Sequence, residues 1–416
     1  MISWVQEKVV AILRWSEKYT KTDMVYLASG GFWLVLEQIS GIALSLLVAI
    51  AFGHFAGKDT YGNYKYVLSL AAMLGALSLS GLSDAVGQAA AKGKDGVLKQ
   101  AFWMNLRWSW PFSIAALCLS AYYCAQGNPF VSGSLVIIAT LQPLVASSSL
   151  FASFLFGQKD FARGALYVMT KNLFTYGSVL AALFFGERAI MLVATYFVAT
   201  SLVSLFFAWK AQRRARNGDK DEQLFSFGAH LSAMNIFGAI ADKFDSVIIF
   251  SLLGPAELAT YAFALAAPEQ IKGVVKNMYG LALPRFAERP FEEVKVTVWR
   301  KIALLTLGIA ALIGTYIVFA PLLFKLFFPI YMDAIPYTRW YALSILFAGI
   351  PPVLVSALTA HKKTKALYVS TNAPSIVLIV ALLVLVPQFG LGGAIAAQIV
   401  FRLSNALITG WQFLKA

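Results

Sequence analysis

The segment PEQIKGVVKN at residues 268–277 places three ionisable side chains on one face of a predicted membrane helix. Glu269, Lys272 and Lys276 are spaced by three and then four residues, which brings them to the same side of an α-helix. Ammonium groups in that position can serve as counter-charges for an anion that crosses the membrane. We therefore interpret this face as the lining of a water-filled cavity, since charges that face lipid are costly.

The composition supports a membrane location for this face. The chain has 416 residues, of which 59% are hydrophobic and 13% are charged. A globular soluble protein of this length has far fewer apolar residues, so the sequence predicts an all-α polytopic membrane protein. The net charge of +14 follows the predicted topology along the chain, and we expect no nucleic-acid partner.

Twelve apolar segments are long enough to cross a bilayer, at about 20 residues each. Basic residues crowd the connections on one side of them, while the other side holds only Lys58, Arg188 and Lys325. This bias predicts that the N- and C-termini are cytoplasmic. Residues 1–22 and 286–300 are amphipathic and are expected to lie in the inner interface. The predicted spans, numbered 1 to 12, are 26–53, 61–83, 99–124, 130–156, 161–186, 189–210, 225–253, 258–283, 301–328, 335–360, 366–387 and 391–414.

An internal repeat divides the spans into two sets of six. The first outer loop and the loop near Leu253 share a Thr-Tyr pair that opens a new helix, and the motif ALYV occurs at 165–168 and again at 366–369. An even number of spans per repeat gives the two halves the same orientation. The predicted domains are a cytoplasmic amphipathic segment at 1–25, a six-helix lobe at 26–210, a linker at 211–224 and a second lobe at 225–416.

Most of the ionisable residues within spans belong to spans 1, 2, 7 and 8, the first two of each repeat. We interpret the basic ones as a cationic cavity that binds an anionic substrate, and the acidic ones as candidates for coupling to an ion. Glu37 is the leading coupling candidate, because it lies mid-span without a basic neighbour in sequence. Three alternatives stay open: Lys65 at the interface, Asp245 bridging to a lysine of span 8, and Lys171 and Arg402 as locks between helices. The cationic set is Lys272, Lys276, Lys65, Lys171 and Arg402, and the coupling set is Glu37, Asp242, Asp245 and Glu269.

Four segments carry a resemblance to a known family: GHFAGKDTYGNY, LGPAELATYAF, GLSDAVGQAAAKGK and NMYGLALPRFAER. With the twelve spans and the repeat, the chain resembles Wzx-type polysaccharide flippases of the multidrug/oligosaccharidyl-lipid/polysaccharide (MOP) exporter superfamily. The resemblance implies two six-helix bundles that form a V-shaped cleft. It also implies a substrate, an undecaprenyl-diphosphate-linked oligosaccharide carried to the periplasmic leaflet of the bacterial inner membrane, with other polysaccharide assembly proteins as partners.

Two other function classes are alternatives to a flippase. An organic-cation exporter of the same superfamily is the alternative closest in architecture, but it predicts an acid-dominated cavity. An intramembrane enzyme is disfavoured, because the outer loops are short and the three histidines have no partnered acid. The chain has no nucleotide-binding motif, so we expect H⁺ or Na⁺ as the coupling ion, with no cofactor and no metal centre.

Overall fold

The computed structural model of the chain describes residues 24–186, 188–280, 291–361 and 363–416. For residues 24–29, 235, 271–280 and 301 this description is limited to the helical backbone. The amphipathic segment predicted at 1–22 lies outside the described residues. Within the described ranges all regular secondary structure is helical.

Helices form over all twelve predicted spans. By length and hydropathy alone, seven described helices qualify as membrane-spanning, and an eighth qualifies if the bent helix of span 2 is counted as one. The helices are Met24–Phe55 (span 1), Lys58–Leu74 with the 3₁₀ turn Gly75–Leu77 and Leu82–Ala91 (span 2), Val97–Trp108 with Trp110–Ala125 (span 3), Pro129–Ser148 with Leu150–Gly157 (span 4), Phe161–Phe185 (span 5), Ala189–Gln212 (span 6), Leu224–Leu253 (span 7), Pro255–Gly280 (span 8), Phe291–Phe327 (span 9), Ile335–Ala348 with Ile350–Ala360 (span 10, after a 3₁₀ turn at Pro329–Ala334) and Thr364–Lys415 (spans 11 and 12).

Two boundaries differ from the sequence prediction. The helix of span 9 begins at Phe291, so the described part of the predicted interfacial segment 286–300 is the start of that span. Glu292 and Glu293 lie in its first turn, where carboxylates stabilise the positive end of the helix dipole. Spans 11 and 12 are separated only at Gly390, whose φ of 56° breaks the helix.

Span 2 is bent by 64° between its long outer part and the helix Leu82–Ala91. The bend begins with the 3₁₀ turn Gly75–Leu77, and Ser78 after it is extended (φ −97°, ψ 175°). The Ser78 amide and hydroxyl both donate to the Gly75 carbonyl, at 3.1 and 2.6 Å, and so hold the turn at the point where the helix ends. The bend divides span 2 into two parts that pack separately.

The surface where span 2 meets spans 7 and 8 joins the two halves of the chain, and we call it the seam. On the side away from the 211–224 connection, here the far side, Lys58 pairs with Asp333 at 2.6 Å. Below this pair, Gly62 lies directly against the backbone of Pro255, where any Cβ would overlap it. An aromatic group of Tyr61, Phe263 and Tyr331 fills the space beside it.

On the opposite side, here the linker side, the inner part of span 2 packs against the start of span 7. The Gly81 amide donates to the Ser232 hydroxyl at 2.9 Å. A Cβ at Gly81 would collide with the span 7 backbone near Gly228. Span 2 therefore closes the seam on both sides in this conformation.

The connection between the lobes is fixed to the first lobe by a buried carboxylate. Asp95 is 5% exposed, and its oxygens accept hydrogen bonds from Gln158 Nε2 at 2.6 Å and from the Arg216 amide at 2.7 Å. Its own amide donates to Asn217 Oδ1 at 2.9 Å. We call this group, with Gln100 and Asp221 described next, the linker clamp.

Asp221 completes the linker clamp. Its amide and carbonyl exchange hydrogen bonds with the Gln100 side chain at 3.0 and 2.9 Å, and its carboxylate pairs with Lys94 at 3.2 Å. Partial burial raises the pKa of Asp221, but hydrogen bonds from the Gln223 amide and from Lys94 outweigh burial and hold that pKa below its usual value. The connection is therefore an ordered part of the first lobe.

Removing the Asp95 carboxylate should release the connection. We expect Asp95→Ala to expose the bonds after Arg213, Arg214, Arg216 and Lys220 to trypsin, because the Gln158 side chain and the Arg216 amide lose their buried acceptor. The measurement is the rate of limited trypsin digestion of the purified protein in detergent. Asp219→Ala, at an exposed position of the same connection, is the matched control. Equal digestion rates for the two variants would show that the clamp does not hold the connection.

Candidate functional site

Two lysines approach each other at the seam, one from span 2 and one from span 7. Lys65 of span 2 lies close enough to Lys243 of span 7 to interact with it electrostatically, and both also interact with Asp245. Both lysines are half-buried. Within the described residues neither lysine makes a hydrogen bond or an ion pair. Two positive groups therefore share one carboxylate.

The shared carboxylate is already satisfied by other donors. Asp245 Oδ1 accepts from the amide and the hydroxyl of Ser246 at 2.6 and 3.2 Å. Oδ2 accepts from the Tyr261 hydroxyl at 2.7 Å and from Gln398 Nε2 at 3.0 Å. Because Tyr261 belongs to span 8 and Gln398 to span 12, Asp245 fastens three helices of the second lobe together. Its charge reaches the lysines only at longer range.

This arrangement of charges favours the binding of an anion at the seam. Like charges in a medium of low dielectric constant repel more strongly than in water, and Asp245 compensates them only in part. An anion placed between Lys65 and Lys243 would relieve the repulsion and gain charge-assisted hydrogen bonds from both. We call Lys65 and Lys243 the seam lysines.

The first lobe contains a second pair that the sequence assigned to two separate roles. Glu37 of span 1 and Lys171 of span 5 interact electrostatically, and one buried carboxylate oxygen of Glu37 has no hydrogen-bond partner in the described part of the chain. Their formal charges cancel. Lys171 is therefore positioned in this conformation to balance the charge of Glu37.

The second lobe contains a third group, built on Glu269 of span 8. Arg402 of span 12 is 5% exposed and its Nη2 donates to Glu269 Oε1 at 2.7 Å. The Tyr341 hydroxyl of span 10 bonds both Glu269 and Arg402. In this conformation Arg402 is a lock between spans 8, 10 and 12, which is one of the two alternatives that the sequence left open.

The remaining predicted residues are placed as follows. The side chains of Lys272 and Lys276 lie outside the described residues, although the helix of span 8 continues past both. Asp242 is exposed and makes no hydrogen bond or ion pair with any described residue. Asp245 has Tyr261, Ser246 and Gln398 as its hydrogen-bond partners, and the predicted bridge to a lysine of span 8 remains untested.

Several members of these groups were not among the predicted site residues. The sequence identified Lys243 as a charge within span 7 but did not assign it to the site, and it did not identify Tyr261, Tyr341 or Gln398. One signal was available for Tyr261: it is the tyrosine of the repeated Thr-Tyr pair, and Tyr61 is its counterpart. The contacts of Tyr341 and Gln398 depend on helix packing between distant spans, which no local pattern encodes.

Comparison with known proteins places this geometry in a family context. A family model described as "Polysaccharide biosynthesis protein" matches residues 27–289. A protein of Shigella flexneri described as "Putative O-antigen transporter" is 23% identical over 256 residues. That match covers 58% of this chain and 57% of the relative, so it spans little more than half of each.

Solved structures share the fold across nearly the whole chain. An inward-facing multidrug resistance MATE family transporter of the MOP superfamily aligns with a TM-score of 0.69 at 13% identity, over 90% of this chain and 94% of that one. The lipid II flippase MurJ in an inward closed conformation aligns with a TM-score of 0.62 at 12% identity, over 93% and 89%. These likenesses confirm the predicted fold, an all-α polytopic membrane protein with the V-shaped arrangement of these transporters.

Breaking the Arg402 lock should destabilise the second lobe. Arg402→Leu leaves the Glu269 carboxylate without its buried cation, at a cost of about 3–5 kcal/mol, reduced because the Glu269 side chain is 30% exposed. We expect the double variant Glu269→Leu/Arg402→Leu to be more stable than Arg402→Leu alone, since it removes the Glu269 carboxylate together with the arginine that compensates it. The measurement is the apparent Tm in detergent. Additive losses in the double variant would contradict a paired lock.

Proposed function

The chain belongs to the polysaccharide biosynthesis protein family, and on this basis we propose that it is a flippase for a lipid-linked oligosaccharide. The observation that carries the proposal is the pair of seam lysines, which share a single carboxylate that is already hydrogen-bonded elsewhere. A lipid diphosphate is an anion of the right kind for this place. Its sugars and phosphates cannot cross hydrocarbon unaided.

The seam lysines suit a polyanion in transit. A lysine presents a compact point charge on a flexible stem, whereas bidentate arginine holds a phosphate in a fixed geometry. Lys272 and Lys276 remain part of the proposed cationic site, as does Lys171 beside Glu37. Arg402 is buried in its ion pair with Glu269, so it can bind the substrate only if the second lobe rearranges. The polyprenyl tail stays in lipid while the headgroup passes the seam.

Alternating access is the proposed mechanism. On the far side the lobes are joined by Lys58 and Asp333, and on the linker side by Gly81 and Ser232. Opening one set of contacts while the other stays closed exposes the seam lysines to one side of the membrane at a time. Rocking of two six-helix lobes about the seam achieves this without unfolding either lobe.

The proposed sidedness follows from charge. The basic residues of the 211–224 connection support a cytoplasmic position for the linker side. The far side then faces the periplasm of a bacterial inner membrane. The proposed substrate is undecaprenyl-diphosphate-linked oligosaccharide, carried from the cytoplasmic to the periplasmic leaflet, with other polysaccharide assembly proteins acting before and after it.

Net uphill transport would need an ion gradient, and the proposed coupling ion is H⁺ or Na⁺. Glu37 is the leading candidate because Lys171 can neutralise it when no external cation is bound, so that a cation and Lys171 compete for one carboxylate. Asp242, Asp245 and Glu269 are the other candidates. Asp242 has the most solvent access, whereas Asp245 and Glu269 are engaged by hydrogen bonds.

The Glu37 assignment predicts a separation of coupling from movement. In proteoliposomes, Glu37→Gln should lose acceleration by an imposed pH or Na⁺ gradient while it retains gradient-independent translocation, because the amide cannot change charge. The measurement is initial translocation rate with and without each gradient. Glu257→Gln, at an exposed acid near the far side, is the control. Gradient dependence that survives in Glu37→Gln would remove Glu37 from the coupling role.

The seam lysines give the test of the substrate class. Lys65→Gln and Lys243→Gln should each slow translocation of a fluorescent lipid-diphosphate oligosaccharide by about tenfold or more, since a charge-assisted hydrogen bond is worth about 1.5–3 kcal/mol. Lys325→Gln, an exposed lysine on the far side, should leave the rate unchanged. Unchanged translocation rates in both seam variants would contradict the proposal. Efflux of a cationic dye without lipid movement would support the organic-cation exporter instead.

A further inference from the structure

A cavity of about 320 Å³ lies at the bend of span 2, which is within the range of small-molecule sites, roughly 300–1,000 Å³. Span 2 contributes its wall on both sides of the 3₁₀ turn, and spans 3 and 4 contribute Asn105 and Gln142. Ala239 of span 7 closes it from the other lobe. We call it the bend cavity.

The bend cavity lies next to the seam lysines along the same helix faces. Ala72 follows Lys65 by seven residues, two turns on the same face, and Ala239 precedes Lys243 by four residues, one turn. At 1.5 Å per residue these steps are about 10 Å and about 6 Å. A group bound at the seam lysines therefore has the bend cavity as its neighbour on the linker side.

None of the residues that line the bend cavity is ionisable. Its polar atoms are chiefly acceptors. Ser78 and Ser83 donate their hydroxyl protons to carbonyls of the bend, Gly75 at 2.6 Å and Ser80 at 3.2 Å, and so turn lone pairs toward their surroundings. An uncharged cavity of this kind matches a neutral ligand with many hydroxyl donors.

One acceptor in the wall lacks a partner. Asn105 is 3% exposed, and its buried Oδ1 has no hydrogen-bond partner within the described residues. Buried amide oxygens are otherwise almost always paired, so Asn105 is a polar side chain for which the described residues provide no partner. Gln142 and Ser149 also line the cavity with side chains that make no hydrogen bond to any described residue. The wall thus offers acceptors and, through Gln142 Nε2, a donor for a ring or ether oxygen.

We infer that the bend cavity binds the neutral sugar attached to the diphosphate, with Asn105 and Gln142 as its specificity-determining residues. This inference rests on the proposed function, because the seam lysines must hold the diphosphate next to it. A sugar ring supplies hydroxyl donors to Asn105 and the serines, and accepts from Gln142. A uronic acid should gain nothing in this cavity, since none of the lining residues can supply its carboxylate with a counter-charge.

Affinities of three short-chain ligands test the inference: farnesyl diphosphate, the same lipid bearing N-acetylglucosamine, and the same lipid bearing glucuronic acid. Isothermal titration calorimetry of the whole protein in detergent gives each Kd. We expect the N-acetylglucosamine ligand to bind about fivefold to tenfold more tightly than the sugar-free lipid, as one or two hydrogen bonds would give. The glucuronic acid ligand should gain nothing over the sugar-free lipid.

Two variants act on the cavity at positions where the fold tolerates change. Gln142→Leu removes a half-buried amide, and Ala72→Leu fills the cavity from an exposed position. Both should abolish the preference for the N-acetylglucosamine ligand and leave the Kd of the sugar-free lipid unchanged. Gln126→Leu, an exposed glutamine outside the cavity, should keep the preference.

The outcomes separate the two levels of the proposal. The bend-cavity assignment would be wrong if both cavity variants kept the preference for the N-acetylglucosamine ligand, or if the glucuronic acid ligand also bound more tightly than the sugar-free lipid. The proposed function would still stand in that case, provided that the sugar-free lipid binds and that Lys65→Gln weakens its binding. If none of the three ligands binds the unaltered protein, the proposed function fails and the assignment fails with it.

Discussion

The cost of placing a charge in hydrocarbon governs where the ionisable side chains of this protein lie. That cost is roughly 2.5–3.5 kcal/mol per group even on the lenient insertion scale, so each charge within a span needs water, a partner or a bound ligand. Inside the lobes the charges are partnered: Glu37 with Lys171, and Glu269 with Arg402 and Tyr341. At the seam this compensation is incomplete.

Partnered charges hold the helices of each lobe together, whereas the seam lysines form the proposed binding site. A carboxylate with several donors, such as Asp245, fixes the helices around it, and its removal would leave those donors buried and unpaired. Among the described residues the seam lysines make no hydrogen bond or ion pair, so an anion can bind and leave without breaking one. In the proposed mechanism each lobe moves as a rigid body, and the substrate binds at the surface between the two lobes.

The sequence specified the fold well, because hydrophobic length and charge bias act locally along the chain. All twelve spans, and the concentration of charged residues in spans 1, 2, 7 and 8, follow from such patterns. The 64° bend of span 2 was not predicted, although Gly75, Gly81 and three serines mark it, since these residues are also common in straight membrane helices. Local sequence patterns do not predict which charged residues pair with each other. The pairing of Glu37 with Lys171 spans more than a hundred residues and depends on how spans 1 and 5 pack.

The far-side closure of the seam is weakly held, and the linker clamp limits where the chain can bend if the lobes part. On the far side the Lys58–Asp333 pair is partly exposed, with side-chain exposures of 25% and 53%, and exposed pairs contribute only about 0–1 kcal/mol. On the linker side the clamp around Asp95 is buried and holds the connection to the first lobe. Because the clamp ends at Asp221 and span 7 begins at Leu224, the connection travels with the first lobe. Relative motion of the lobes must therefore be absorbed in the few residues between these points, beside the contact of Gly81 with Ser232.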